Sequence, residues 1–173
     1  LMVDTSLFSP EFKAELLKRI DDLDAQTDGL IIHSDNFQAL NLMQEKYQSK
    51  VDTVYIDPPY NTGNKDFIYN DKYVEKEDTW RHSKWISFMD KRLELAKNLL
   101  DEKGVIFISI DDNEQSQLKL LCDKVFGEEN FIGNICWFKK RKGSFLSNNL
   151  VSLTEYVLAY KKGGTVKLFG GET

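Results

Sequence analysis

Asp57-Pro58-Pro59-Tyr60 is the run in this chain whose residue types and order ask for chemistry rather than packing. A turn alone needs neither an acid nor an aromatic ring beside two prolines. The prolines fix φ at their own positions and restrict the residue before each, so the Asp57 carboxylate and the intervening carbonyls are held in one geometry. Rigid acceptors beside an aromatic face describe a receptor for a flat ring that bears an amine. An exocyclic amine such as N6 of adenine is a poor nucleophile, because its lone pair is delocalised into the ring. Accepting both its hydrogens, one on Asp57 and one on a backbone carbonyl such as that of Pro58, draws the nitrogen toward tetrahedral geometry and frees the lone pair. Tyr60 can stack on the ring, a contact worth roughly 1–3 kcal/mol per base.

The elements that must position this turn are read from periodicity. Apolar runs at 30–32, 51–56 and 105–110 predict buried strands, and the third suits a strand covered on both faces. Helices are predicted over 37–47, 84–102 and 115–126, with Ser34 or Asp35 as a cap for the first and Gly104 and Gly127 as stops for the others. Strand and helix alternate, which predicts an α/β doubly wound sheet. Two further strand-like runs, 131–138 and 156–161, predict a C-terminal β-hairpin joined by the polar loop KKRKGSFLSNN. Each parallel-type strand ends in an acid: Asp35, Asp57, and Asp111 with Asp112. Ligands of open α/β sheets bind outside the carboxyl ends of the strands, so these acids are expected to converge. Helix capping is the competing explanation for Asp35 and for Asp111 or Asp112.

Of the 173 residues, 41% are hydrophobic and 29% charged, the profile of one soluble domain able to bury a core. No apolar run reaches the roughly 18–20 residues of a membrane helix and the N-terminal residues lack a signal-peptide pattern, so the cytoplasm is the expected location. Cys122 and Cys136 provide neither a disulfide framework nor a zinc site, and no metal is expected. The net charge of −5 argues against holding nucleic acid by bulk electrostatics alone. Yet residues 1–127 carry a net −8 and residues 128–173 a net +3, so a polyanion should meet the C-terminal part first. There Lys139, Lys140, Arg141 and Lys142 are candidates for phosphate contact. The loop 61–79 is long enough to be a lid, with Phe67, Tyr69 and Tyr73 free either to touch a ligand or to anchor it. Trp85 and Trp137 are expected in the core.

The segment VDTVYIDPPYNTGNKDFIYNDKY resembles the DPPY motif and following loop of DNA adenine-N6 methyltransferases. The resemblance is closest to the modification subunits of type III restriction-modification systems. HSDNFQAL, WISFMDKRLELAKNLLDEKGVIFISIDDNE, FGEENFIGNICWFKK and LTEYVLAYKK follow the same family in the same order, so the likeness runs over about residues 30–162. It implies a Rossmann-like methyltransferase fold and S-adenosyl-L-methionine as methyl donor. It also implies Asp57, Pro58, Pro59 and Tyr60 as the catalytic tetrad around a flipped adenine, and cofactor contacts at Asp35, Asn36 and Asp111. Double-stranded DNA is the implied partner, together with a restriction helicase/nuclease subunit and self-association of the full-length protein. Two features depart from the family. Ser34 stands where a glycine usually precedes the acid of the Gly-Asp-Asn segment, and no Phe-x-Gly-x-Gly loop is present, because Gly163-Gly164 and Gly170-Gly171 do not link a strand to a helix. Residues 1–173 are therefore expected to be a partial catalytic domain, the target-base half, inactive alone. Methylation of an RNA base or of a protein glutamine, and a non-catalytic DNA-binding module, are the competing functions.

Overall fold

A computed structural model describes residues 5–23, 25–139 and 153–166. The chain divides into two compact units, Leu1–His33 and Ser34–Thr173, a boundary that the reading of 1–173 as one partial domain does not draw. In the first unit, helix α1 (Pro10–Lys18) starts where sequence chemistry favours it. Ser9 Oγ accepts from the Phe12 amide at 3.3 Å, and Pro10 fills the first helical position, where its missing N–H costs nothing. Phe8 and Phe12 stack at 4.7 Å. The expected strand at 30–32 does not form: Leu30 is 66% and Ile31 98% exposed, and no described strand pairs with them. Three apolar residues without a hydrogen-bonding neighbour cannot satisfy a strand's backbone, whatever their side chains favour.

The second unit holds helix α2 (Asn36–Tyr47), strand β1 (Val51–Ile56), a miniature hairpin β2 (Ile68–Tyr69) and β3 (Lys72–Tyr73), and helix α3 (Arg81–Leu99). Strand β4 (Leu100–Ile110), helix α4 (Gln115–Phe126), strand β5 (Phe131–Phe138) and strand β6 (Thr154–Lys161) follow. The main sheet has the order β1-β4-β6-β5. β1 runs parallel to β4, and β6 is antiparallel to both β4 and β5. The α/β expectation holds, with a mixed sheet in which the expected C-terminal hairpin lies beside the parallel pair. As an edge strand, β1 is only half-buried rather than the covered strand expected from its sequence.

Ile106, Ile108 and Ile110 of β4 and Leu158 and Tyr160 of β6 share a core with Trp85, Met89, Leu93 and Ala96 of α3 and Leu118, Leu121, Cys122 and Val125 of α4. Each fully buried Leu or Ile contributes about 1.5–3 kcal/mol relative to exposure. The helical stripes anticipated on α3 and α4 are thus the core contacts. Helix α3 stops at Leu99, three residues before the expected end, because Leu100 is extended (φ −60°, ψ 139°) and pairs with Val51. Gly104 sits inside β4 instead of ending the helix: a Cβ there would lie 2.9 Å from the Val51 carbonyl, too close for any side chain. Gly127, at φ 96°, does end α4 as its sequence position predicts. Among the described residues, no helix is long and apolar enough to cross a membrane.

Candidate functional site

The turn 57–60 leaves the carboxyl end of β1 and is tied to the core from behind. The fully buried Trp85 donates its Nε1–H to the Pro59 carbonyl at 2.7 Å. Asn61, which follows, is fully buried and left-handed (φ 57°), a conformation asparagine tolerates better than most residues. Burial first, then the charges of Asp57, Glu155 and Asp111, hold the Tyr60 pKa far above the ordinary phenol value. Of the strand-end acids, Asp57 and Asp111 both act on Tyr60 through their charge, as does Glu155 of β6.

Beside this turn lies a cavity of about 370 Å³ lined by Tyr55, Asp57, Tyr60, Ser109, Trp137 and Glu155, with Tyr156 and Val157 completing it. Its volume falls in the range of small-molecule sites, about 300–1,000 Å³. Strand register explains the lining. Tyr55 pairs with Phe107, Ser109 with Val157, and Trp137 with Glu155, so Tyr55, Ser109, Trp137, Glu155 and Val157 line one side of the sheet while Ile106, Ile108 and Ile110 of β4 and Leu158 and Tyr160 of β6 face the core. Tyr55 and Ser109 share a hydroxyl hydrogen bond on that side, and the Tyr156 hydroxyl bonds to Asp112, which raises its pKa.

A second cleft, about 630 Å³, runs along β1 between α2 and α3 and reaches Asp57, Pro58 and Pro59. Its wall is largely apolar, with Leu40, Met43 and Val54 among its residues, and Asn36 and Arg92 give it polar corners. The Arg92 guanidinium stacks 3.6 Å from the Phe88 ring centroid and lies 3.8 Å from Asp35, while its buried Nε has no hydrogen-bond partner. Burial lowers the Arg92 pKa, against the opposing charge of Asp35.

Comparison with known proteins identifies the family and the fold. The family model for N6 and N4 methyltransferases, described as DNA methylase, matches residues 51–170. The chain belongs to this DNA methylase family. It is 40% identical over 158 residues to the Mod subunit of the type III restriction-modification enzyme StyLTI of Salmonella typhimurium, covering 78% of this chain and 24% of that protein. It is 41% identical over 162 residues to the type II methyltransferase M.KpnI of Klebsiella pneumoniae, covering 92% of this chain and 38% of that protein. The chain thus spans well under half the length of these relatives. A Thermus thermophilus protein assigned as a DNA modification methylase, solved with S-adenosyl-L-methionine, shares the fold. Its TM-score is 0.55 at 17% identity, over 79% of this chain and 56% of that one.

The turn 57–60 stands between the two hollows, since Asp57 lines both. The other residues singled out in the sequence distribute unevenly. Asn36 lines the cleft, whereas the Asp35 carboxylate accepts from the Phe37 and Gln38 amides at 3.0 and 3.3 Å and so caps α2. Asp111 accepts from the backbone and side chain of Asn113 at 2.9 and 2.8 Å, and its charge acts on Tyr60 rather than lining the cleft. Lys139 pairs with Glu155, while Lys140, Arg141 and Lys142 lie outside the described residues. Trp137 is not in the core: it is 62% exposed and walls the smaller cavity. The 61–79 loop is anchored, with Phe67 and Val74 buried and Phe67 meeting Phe88 edge-on at 5.2 Å. Sequence reasoning missed Glu155 and the fully buried Glu114. The first is visible as an acid within the TEYVLAYKK strand, and the second as an acid directly before an apolar helix.

Proposed function

We propose that this chain forms the target-base half of an S-adenosyl-L-methionine-dependent DNA adenine-N6 methyltransferase, the modification subunit of a restriction-modification system. The observation that carries this reading is the rigid turn 57–60, with the Asp57 carboxylate and Tyr60 facing a cavity walled by Trp137 and Tyr156. Asp57 and the Pro58 carbonyl accept the two N6 hydrogens of the target adenine, as Trp85 already occupies the Pro59 carbonyl. Tyr60 lies against the ring, beside Asp57 in the same cavity wall. A base inside a duplex cannot reach such a pocket and must be flipped, at a cost of a few kcal/mol. An acid at the first position of the tetrad favours adenine over cytosine.

The bound cofactor supplies an electrophilic methyl group on a sulfonium. The larger cleft fits a molecule of that kind: apolar walls suit its ring, the Asn36 amide offers donor and acceptor, and the orphaned Arg92 Nε lacks only an acceptor. Of the three expected cofactor contacts, Asn36 lines the cleft, whereas Asp35 and Asp111 do not. Asp35 contributes by fixing the start of α2 and countering Arg92, and Asp111 by its charge beside Tyr60. The cations 139–142 meet DNA phosphates, with Lys139 oriented by Glu155. The resemblance to type III Mod subunits extends the proposal to double-stranded DNA as partner, self-association and a restriction subunit, acting in the cytoplasm.

The test is Asp57→Ala in the intact protein, read by nucleoside analysis of DNA from expressing cells and by cofactor binding. N6-methyladenine should appear with the parent and vanish with the variant, while cofactor affinity stays. Equal loss of both would remove Asp57 from the transfer step. Methylation of RNA or protein instead of DNA would overturn the substrate.

A further inference from the structure

Behind the turn lies a polar group that the transfer chemistry above does not use. Asn61 and Glu114 are both fully buried, 53 residues apart in sequence, and meet side chain to side chain. Asn61 Nδ2 donates to Glu114 Oε1 at 2.5 Å and to the Arg81 carbonyl at 3.2 Å. The same Glu114 oxygen takes a 2.7 Å hydrogen bond from His82 Nδ1, and His82 Nε2 accepts from Arg81 Nε at 3.1 Å. Asn61 Oδ1 and Glu114 Oε2 have no partner.

A buried carboxyl with one oxygen unsatisfied costs several kcal/mol, so its retention beside a functional turn asks for a function. We propose that Glu114 is a positioning residue for methyl transfer: through Asn61 it clamps the left-handed residue that ends the 57–60 turn and so fixes the direction of Tyr60. The proposal rests on the methyltransferase reading above. Its physical basis is leverage. Asn61 is bonded directly to Tyr60 through the chain, and its φ of 57° is held by the side-chain contacts on α3 and on the residue before α4. Loss of the clamp lets the turn relax at Asn61, swinging the Tyr60 ring away from its place beside Asp57 in the cavity wall. A displacement of about 1 Å at reacting groups costs on the order of 100-fold in rate.

The design of the test separates the side-chain clamp from the backbone. Asn61→Gly keeps the left-handed conformation available and deletes only the clamp. Glu114→Ala deletes it from the other end, and Glu114→Gln keeps an acceptor for Asn61 and His82. Transfer from labelled S-adenosyl-L-methionine to unmethylated plasmid DNA is measured with the intact protein, alongside thermal midpoints. Asn61→Gly and Glu114→Ala should lower kcat roughly 10- to 100-fold with the cofactor KM held within about twofold, and Glu114→Gln should restore most of the rate. Unchanged kcat in Asn61→Gly or Glu114→Ala overturns the clamp while leaving the methyltransferase reading intact. Parallel collapse of cofactor binding, melting temperature and rate would mean a role in stability alone and also overturns it. A parent protein that transfers no methyl group overturns the methyltransferase reading and the clamp's catalytic role with it.

Discussion

Trp85→Phe tests whether the turn 57–60 is held by the core or merely rests on it. Trp85 is fully buried on the inner face of α3, and its Nε1–H is the donor to the Pro59 carbonyl at 2.7 Å. Phenylalanine keeps an aromatic ring in the slot and removes that donor. A part-buried carbonyl left without its partner costs about 1–3 kcal/mol, and the void left by the smaller ring adds about 1 kcal/mol. The expected loss is therefore about 2–4 kcal/mol. At about 2–4 °C per kcal/mol for a chain of this size, the melting midpoint should fall by about 4–16 °C. Leu93→Met, two turns along the same buried face, provides the comparison, since a volume-conserving swap costs under about 1.5 kcal/mol. The assay is urea and thermal unfolding of both variants, with the transfer rate measured below the transition. A Trp85→Phe loss below about 1 kcal/mol would refute the reasoning, because the carbonyl would then be satisfied without the indole.

Phe67→Ala should cost about 3–5 kcal/mol in unfolding experiments, since that ring is a core residue rather than a lid residue, whereas Tyr73→Ala should stay within about 0.5 kcal/mol. Similar effects for the two would mean the loop is not anchored at Phe67. Burial holds the Glu114 pKa above its ordinary 4.5 in the folded chain, with Asn61, His82 and Arg81 pulling the other way. An acid raised by folding keeps its proton where the unfolded chain has lost it, so its effect on stability worsens as pH climbs from about 4.5 through the folded value. Glu114→Gln, which has no proton to lose, should gain stability relative to the parent in thermal melts as pH rises above about 4.5. A difference that does not change with pH would show that the carboxyl titrates alike in both states.

Much of the architecture is legible because it is local. The three- and four-residue spacing of Leu118, Leu121, Cys122 and Val125 fixes α4 at 115–126, and Gly127 closes it at φ 96°. The hairpin runs expected at 131–138 and 156–161 form β5 and β6, the latter starting two residues earlier at Thr154. Errors arise where a pairing partner decides. Leu99 and Leu100 are both buried leucines, yet one ends a helix and the other begins a strand, because Leu100 finds Val51 across the sheet. Leu30, Ile31 and Ile32 have strand-like side chains and form none, for want of such a partner. Trp137 has the composition of a core residue, but it lies on β5, an edge strand of the main sheet, and turns toward the cavity.

The candidate site divides along the same line. The sequence by itself determined the turn: two prolines between an acid and a tyrosine restrict the backbone wherever the chain places them. It also predicted that strand-end acids would share one site, and the charges of Asp57 and Asp111 both act on Tyr60. Only the tertiary structure decided that Glu155 and Trp137 face Asp57, and that Glu114 reaches Asn61 from 53 residues away. Strand pairing is the reason. Side chains alternate with a period of two, so pairing Ser109 with Val157 and Glu155 with Trp137 turns that row toward the turn, and a slip of one residue would send it to the core. That register is set by packing between distant segments, and local periodicity does not encode it.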